Sequence, residues 1–292
     1  MRHLVISVVV GLALVSCAAP PPGQATPSRT ASSAGPSASA TQSATTPANP
    51  SSASAGPTSV RVYFLTDTPF GMRLATEVRT VSGDPLTGAL QAMIEGSVDP
   101  DYPSFWNPEA VVESTGVESG VVTVDMSTQV RDAQVDPQTA LMLVQQLVFT
   151  ATSDEPTAKV KLLVEGQAAG RLWGVVSWDD AIGRGDASQV LSPVQLVSPA
   201  QNSRLTTDNL SFSGEYLAGT TLTWRVSHAA TDDEVATGVV EAAAGDGFAD
   251  FKVNPELGPG RYILDLRAHR ASDPGATPLA IETKEFSVHL AA

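Results

Sequence analysis

Two segments of this sequence begin with the same Asp-Pro pair and continue with apolar residues at helical spacing. The first, DPLTGALQAMIEG, starts at Asp84, and the second, DPQTALMLVQQLVFTATS, starts at Asp136. Aspartate is a favoured N-cap and proline fits the first helical turn, so both segments predict helices. The predicted core stripes are Leu86, Leu90, Met93 and Ile94 in the first helix, and Leu141, Val144, Val148 and Ala151 in the second. Each stripe needs an apolar partner, so both helices must pack on other elements.

Stretches with strand-like patterns flank both helices. In SVRVYFLTD, Val60, Val62 and Phe64 alternate with Arg61 and Tyr63, which indicates a strand. Two short strands around a Gly/Ser turn are predicted in AVVESTGVESGVVTVDM, and a closing strand pair is predicted in AKVKLLVEG and AAGRLWGVVSW. The order is therefore strand, helix, strands, helix, strands. We expect an α+β domain over residues 58–176, with its helices on one face of a sheet.

The remainder of the chain has turns and short alternating segments but no helical pattern. The polar, glycine-containing stretch DDAIGRGDASQ is interpreted as part of a linker over residues 177–191. Roughly seven short strands follow it, which is typical of an immunoglobulin-like sandwich. The expected fold class is thus an α+β domain followed by an all-β sandwich over residues 192–290.

Cys17 is the only cysteine in the sequence, and it follows an apolar run from Leu4 to Leu14. That run is shorter than the roughly 20 residues of a membrane-spanning helix but has the length of a signal-peptide core. The tetrad Leu14-Val15-Ser16-Cys17 resembles the bacterial lipobox. The resemblance implies a signal peptide over residues 1–17, with Cys17 as the lipid-attachment site and the first mature residue. The alternative is an ordinary secretory signal with an incidental cysteine.

A low-complexity segment follows Cys17. Residues 18–57 are nearly all Ala, Ser, Thr, Pro and Gly, and Arg29 is their only charge. Such a segment has little apolar surface to bury, so we expect a disordered tether. Together with the acyl chains on Cys17, it would hold the folded part on the outer face of the cell membrane.

The chain is acidic, with a formal net charge of −14. Nucleic-acid binding requires a basic surface, so nucleic acid is excluded as an expected partner. Arginine outnumbers lysine and alanine is abundant, which points to a high-GC genome such as that of an actinobacterium.

The motifs of both predicted domains resemble known modules. VRVYFLTD, RLATEVR, PLTGALQAMIEG, GVVTVDMS and QTALMLVQQLVFTAT lie in the order and spacing of the GerMN domain of sporulation and germination proteins. VQLVSPAQNSRLT, LSFSGEY, TLTWRVSH and GPGRYILDLRA resemble Gmad2, an immunoglobulin-like domain that follows GerMN in bacterial lipoproteins. The resemblance implies a non-enzymatic accessory of envelope assembly or signalling, without implying a role in spores.

No catalytic, cofactor-binding or metal-ligating set is predicted. The histidines are His3, His228, His269 and His289, and none has metal-site spacing. The sequence contains no GxSxG, SxxK or Walker-type motif. The RGD tripeptide at Arg184 lies within the predicted linker and is interpreted as a chance match.

Two residues are candidates for an interface with a partner. Trp106, between two prolines, is predicted on a loop as either a plug or a partner anchor. Met142 is predicted on the second helix, on the face opposite its core stripe. The leading hypothesis is a lipid-anchored scaffold that binds unidentified envelope proteins, with self-association left open. The alternatives are a peptidoglycan- or glycan-binding module and a hydrolase with a hidden site.

Overall fold

The computed structural model describes residues 56–291. Cys17, the predicted signal peptide over residues 1–17 and nearly all of the predicted tether lie outside the described residues. In the first region, which we define as residues 58–191, the strands are β1 (Thr58–Thr68), β2 (Gly71–Val81), β3 (Val112–Glu118), β4 (Val121–Met126), β5 (Lys159–Val164), β6 (Gln167–Ala168), β7 (Gly170–Leu172) and β8 (Val176–Trp178). Its helices are α1 (Pro85–Glu95), α2 (Pro137–Ala151) and the short α3 (Ala187–Val190), with a 3-10 turn at Thr128–Arg131.

Both predicted helices are present, and each begins at the predicted cap. The Asp84 carboxylate accepts a hydrogen bond of 2.7 Å from the backbone N–H of Thr87. The Asp136 carboxylate accepts in the same way from the N–H of Gln138 at 2.9 Å. These bonds satisfy N–H groups that have no partner within the helix, so the Asp-Pro pairs fix both helix starts.

The stripe predicted for α2 is wrong at one position. Leu141 is 61% exposed, whereas Leu143 and Leu147 are fully buried. Leu143 and Leu147 extend the buried arc on the side of the helix away from Leu141, so the centre of the arc is rotated from its predicted position. Val144 and Val148 are buried as predicted.

The strands of the first region form three sheets rather than one. β1 and β2 make an antiparallel hairpin, and β3, β4, β5 and β6 make a sheet in that order. β4 and β5 run parallel, and α2 lies between them in the chain. β7 and β8 form a separate pair. Both helices contact the hairpin, while α1 also contacts β3 and α2 also contacts β5 and β8. The sequence correctly predicted that helices and strands are combined in this region. It predicted one sheet with both helices on one face, whereas the structure has three sheets.

The second region, which we define as residues 192–290, consists of β-strands. They are β9 (Val194–Ser198), β10 (Ser203–Thr206), β11 (Phe212–Leu217), β12 (Thr220–His228), β13 (Glu234–Val240), β14 (Phe248–Val253), β15 (Gly260–Arg270) and β16 (Ala280–His289). One sheet has the order β14-β11-β9 and the other β10-β16-β15-β12-β13. Residues of both sheets contribute to one apolar core, which is consistent with the expected sandwich. Trp224 is half-buried beside this core, edge-on to Phe212 at 5.9 Å.

None of the helices in the described range is long and apolar enough to cross a membrane.

Candidate functional site at the junction of the two regions

The inward-facing positions of β16 include two charged residues. Ala280, Glu282, Lys284, Phe286 and Val288 are all buried and alternate with more exposed neighbours. Successive side chains of a strand point to opposite faces, so these five residues share one face. Charged residues are rarely buried unless they are paired, so Glu282 and Lys284 require partners.

The partners come from the loop that follows α1 in the first region. Lys284 Nζ forms ion pairs with the carboxylates of Asp99 and Glu282. It also donates a hydrogen bond of 2.8 Å to Tyr102 Oη, and the Tyr102 hydroxyl donates to Glu282. The ammonium group lies 4.4 Å from the centroid of the Tyr102 ring. We call Asp99, Tyr102, Glu282 and Lys284 the junction cluster, because it joins the two regions.

The junction cluster is almost completely shielded from water. The side chains of Asp99, Glu282 and Lys284 are only 1%, 3% and 3% exposed. Coulombic interactions are strong in such an environment, and any group without a partner is costly. If both carboxyl groups are ionised, two negative charges face one ammonium, so one more proton would make the cluster neutral.

Burial and the neighbouring charges shift the pKa values of Glu282, Lys284 and Tyr102. Burial raises the pKa of Glu282, even though Lys284 opposes the shift. Burial lowers the pKa of Lys284, but the Glu282 and Asp99 carboxylates outweigh that effect and leave its pKa raised. Burial and the neighbouring Glu282 raise the pKa of Tyr102 well above its ordinary value. Tyr102 therefore remains a hydrogen-bond donor.

The backbone of the loop is held in place by a second set of hydrogen bonds. Glu77 on β2 accepts from the N–H groups of Val98 at 3.1 Å and Asp99 at 2.9 Å. The Ser97 hydroxyl donates to the carbonyl of Asp99 at 2.7 Å, and Asp99 Oδ1 accepts from the N–H of Asp101 at 2.9 Å. The Asp99 carboxyl is thus fixed by local geometry as well as by Lys284.

Further hydrogen bonds and one ion pair join the two regions. The carbonyl of Leu74 on β2 accepts hydrogen bonds from the Ser192 N–H at 2.7 Å and from the Gln195 side chain at 2.8 Å. Arg61 and Glu215 form an ion pair across the junction at 3.2 Å.

The segment between the two regions packs on the first region. Arg184 donates to the carbonyls of Phe149 at 3.1 Å and Thr152 at 2.8 Å, near the end of α2. Its guanidinium lies 4.5 Å from the centroid of the Phe149 ring. Gly185 donates to the Gln145 side chain at 2.7 Å, and Asp186 caps α3. All three RGD residues therefore make internal contacts, in keeping with the chance interpretation of the motif.

The structure alters the interpretation of both candidate interface residues. Trp106 is 4% exposed, donates to Gln146 at 2.9 Å and packs edge-on against Trp173, so it is a plug in the core rather than an accessible anchor. Met142 is half-buried against the first core, although its face was expected to be free. Leu141 is the exposed apolar residue of α2.

The described residues do not assemble a recognisable catalytic or metal centre. No group of three or more His, Cys, Asp or Glu residues is close enough to hold a metal ion within the described part of the chain. Ser287 Oγ and His289 Nε2 are 3.2 Å apart, but both belong to β16 and lie at an exposed site. In the described range, no carboxylate hydrogen-bonds to His289 to orient it, as a triad would require.

The junction cluster was missed in the sequence, although one signal was available. Glu282 and Lys284 lie in phase with Ala280, Phe286 and Val288, and this phase indicates buried charges on β16. Asp99 and Tyr102 lie on a loop without periodicity, so no comparable signal identifies them as the partners.

Comparison with known proteins identifies the first region. A family profile for Germane, described as "Sporulation and spore germination", matches residues 61–170. Among solved structures, the tandem GerMN domains of the sporulation protein GerM from Bacillus subtilis are 16% identical, with 44% of this chain and 45% of that chain covered and a TM-score of 0.36. This chain thus spans less than half of the tandem protein.

Two further solved structures have similar scores. The first GerMN domain of GerM is 16% identical, with 44% of this chain and 99% of that chain covered and a TM-score of 0.36. A protein described as a lipoprotein from Clostridium perfringens is 18% identical, with 44% and 88% covered and a TM-score of 0.31. No curated protein sequence matches this chain. The family match shows that residues 61–170 of this chain are a Germane domain, the module also called GerMN.

Proposed function

We propose that this protein is a lipid-anchored, extracytoplasmic scaffold that binds other proteins of the cell envelope and catalyses no reaction. The lipobox-like tetrad at Cys17 and the low-complexity segment after it support an anchored and tethered location. The Germane domain supports membership of an envelope system related to those of sporulation and germination, without requiring that this chain act in spores.

The observation that carries the proposal is the dry junction between the two regions. The junction cluster and the Leu74 backbone contacts hold the two regions against each other, and the connecting segment at Arg184 is packed on the first region. A scaffold benefits from such rigidity, because it must present its binding surfaces at a fixed spacing. A catalytic clamp that closes on substrate would instead need a mobile hinge.

The membrane anchor is tested by fractionation of cells that express the full-length protein. Wild type is expected in the membrane fraction, and Cys17→Ala in a soluble or unprocessed form. Ser16→Ala is the matched control, since it keeps a small residue before the cysteine and should leave anchoring intact. Membrane retention of cleaved Cys17→Ala protein would rule out the anchor.

The scaffold role is tested by cross-linking in living cells followed by mass spectrometry. We place the docking surface at Leu141, whose side chain is 61% exposed on α2. Leu141→Glu should remove specific cross-links to envelope proteins without unfolding the chain. Val117→Glu changes another exposed apolar residue, on β3, and should keep those cross-links. Equal cross-linking by wild type and both variants would exclude α2 as the docking surface.

A second candidate function, binding of an acidic glycan or peptidoglycan, is favoured by one cleft. The cleft has a volume of about 340 Å³ and lies between the β1–β2 turn and the β11–β12 turn. Arg73 and Arg270 line it, and within the described residues neither forms a salt bridge. Phe70 at its edge is 54% exposed and offers a surface for sugar stacking. Sedimentation with purified sacculi should fall in the double variant Arg73→Ala/Arg270→Ala if this function holds.

A further inference from the structure

We propose that Asp99 and Lys284 condense to form an isopeptide bond, which joins the Germane domain covalently to the second region, and that Glu282 carries the proton for this reaction. The inference rests on the junction cluster alone and does not depend on the anchor or on any partner.

The two reacting groups are already in contact. Lys284 Nζ touches the Asp99 carboxyl, and both side chains are at least 97% buried. Amide formation from an amine and a carboxylic acid releases water, and in bulk water the reverse reaction dominates. A fixed contact raises the effective concentration of the amine at the carboxyl carbon, and a dry site limits hydrolysis of the product.

The reaction balances without any further reagent. The Lys284 ammonium first gives a proton to Glu282, Glu282 passes this proton to Asp99 Oδ2, and the resulting amine attacks Cγ of the neutral Asp99 carboxyl group. The carbon–nitrogen bond then forms. The second amine proton also moves to this oxygen, the carbon–oxygen bond breaks and water leaves. Glu282 ends in its starting state, so an ammonium and a carboxylate have become an amide and one water molecule.

The site contains a group for each of these steps. Glu282 contacts Lys284 Nζ directly and also accepts a hydrogen bond from Tyr102. Its pKa is raised by burial, which makes Glu282 a better proton acceptor than an exposed carboxylate. The raised pKa of Lys284 opposes deprotonation, but transfer to Glu282 converts an ion pair into a neutral pair, which a dry site favours.

Asp101 supplies the stabilisation that an attacked carboxyl group needs. Its backbone N–H donates to Asp99 Oδ1 at 2.9 Å, and negative charge develops on this oxygen when the amine attacks Cγ. A donor that is already oriented at such an oxygen stabilises the tetrahedral intermediate. The other oxygen, Oδ2, faces Lys284 and becomes the leaving water.

The bond is tested by tryptic mapping of the purified full-length protein after complete denaturation. The sequence places Asp99 in a tryptic peptide spanning residues 80–131 and cleaves after Lys284 to release residues 271–284 and 285–292. An acylated Lys284 is not cleaved. We expect residues 271–292 as one uncut chain, joined to residues 80–131 and lighter than the sum of the two by one water molecule. Recovery of the free peptide 285–292 in full yield would overturn the proposal.

Three variants separate the roles of the residues. Lys284→Arg and Asp99→Ala should abolish the joined peptide. Glu282→Gln keeps the shape of the side chain but removes the proton carrier, and it should leave Lys284 cleavable in a protein whose circular dichroism matches wild type. Full bond formation in Glu282→Gln would refute the role of Glu282. Glu285→Gln changes the residue directly after Lys284, on the outer side of β16, and must keep the bond.

Discussion

The two regions of the molecule differ in how they complete their cores. The first core is built from residues 62–191 and includes both long helices and three sheets. The second core is smaller, and part of the inner face of β16 is covered by Asp99 and Tyr102 of the first region. Glu282 and Lys284 of the second region thus have polar partners in the first region. We therefore expect the stability of the second region to depend on the first.

The segment that connects the two regions packs mainly on the first region. Val190 and Leu191 are buried in the first core, and Ile182 exchanges backbone hydrogen bonds of 2.8 Å with Val160 on β5. The linker boundaries at residues 177 and 191 stay predictions from the sequence. By its contacts, however, most of this segment is an extension of the first region.

The largest effect is expected at Lys284, where the two regions depend on each other most. Lys284→Ala removes the ion pairs of the junction cluster together with the proposed amide to Asp99, and it leaves two carboxyl groups buried without a cation, so the unfolding free energy should fall by at least about 3–5 kcal/mol. Urea denaturation followed by fluorescence measures the loss. Both regions should lose stability, because the cluster contains residues from each.

The control for this prediction is Lys161→Ala, which changes an exposed lysine on β5. It should alter stability by less than about 0.5 kcal/mol. Equal effects of the two substitutions would mean that the second region does not rely on the junction cluster.

The next effect concerns the first core and compares two leucines of α2. Leu143→Ala should cost about 2–5 kcal/mol, because it leaves a cavity at a fully buried position. Leu141→Ala removes a side chain that is 61% exposed and should change stability by less than about 0.5 kcal/mol. Thermal melting of the two variants distinguishes the observed stripe from the predicted one, and a large effect at Leu141 would favour the predicted stripe.

A smaller effect is expected where the connecting segment meets α2. The Arg184 guanidinium satisfies carbonyls at the C-terminal end of the helix and places a positive charge near its negative pole. Arg184→Ala should cost about 1.5–3 kcal/mol and speed proteolysis within residues 179–191. Arg184→Lys keeps the charge but loses the planar donor geometry and should recover only part of the stability. Unchanged proteolysis of Arg184→Ala would show that the segment is held by its apolar residues.

The local features of the fold could be predicted because they depend on nearby residues. Asp84 and Asp136 fix the helix starts through bonds to backbone groups two or three positions away. The separation into three sheets could not be predicted in this way, because it depends on pairing between strands that are distant in the chain. Leu141 shows a related limit, since its exposure depends on which neighbours cover α2.

The candidate site was harder to predict than the fold for a physical reason. Glu282 and Lys284 are recognisable as buried charges by their phase on β16, but a strand pattern contains no information about the partner. Asp99 reaches Lys284 across 185 positions of sequence. Trp106 is a second case, since its position on a loop between prolines left a plug and a partner anchor open, and only the buried environment in the fold identifies it as a plug of the first core.

The smallest effect is expected at the start of helix α1, which Asp84 caps. The Thr87 hydroxyl and N–H both donate to the Asp84 carboxylate and lower its pKa below the ordinary value of 3.8. A depressed pKa in the folded state stabilises the protein above the unfolded pKa, and this contribution is lost as the pH falls through the folded value. Asp84→Ala should therefore cost about 1 kcal/mol near neutral pH. The difference from wild type should shrink as the pH is lowered from about 7 to about 3.

The control is Asp84→Asn, which keeps the capping oxygen without the titratable charge. The difference in stability between Asp84→Asn and Asp84→Ala should therefore persist at low pH. Urea denaturation at each pH measures both differences, and a wild-type advantage over Asp84→Ala that grows on acidification would contradict the assigned cap.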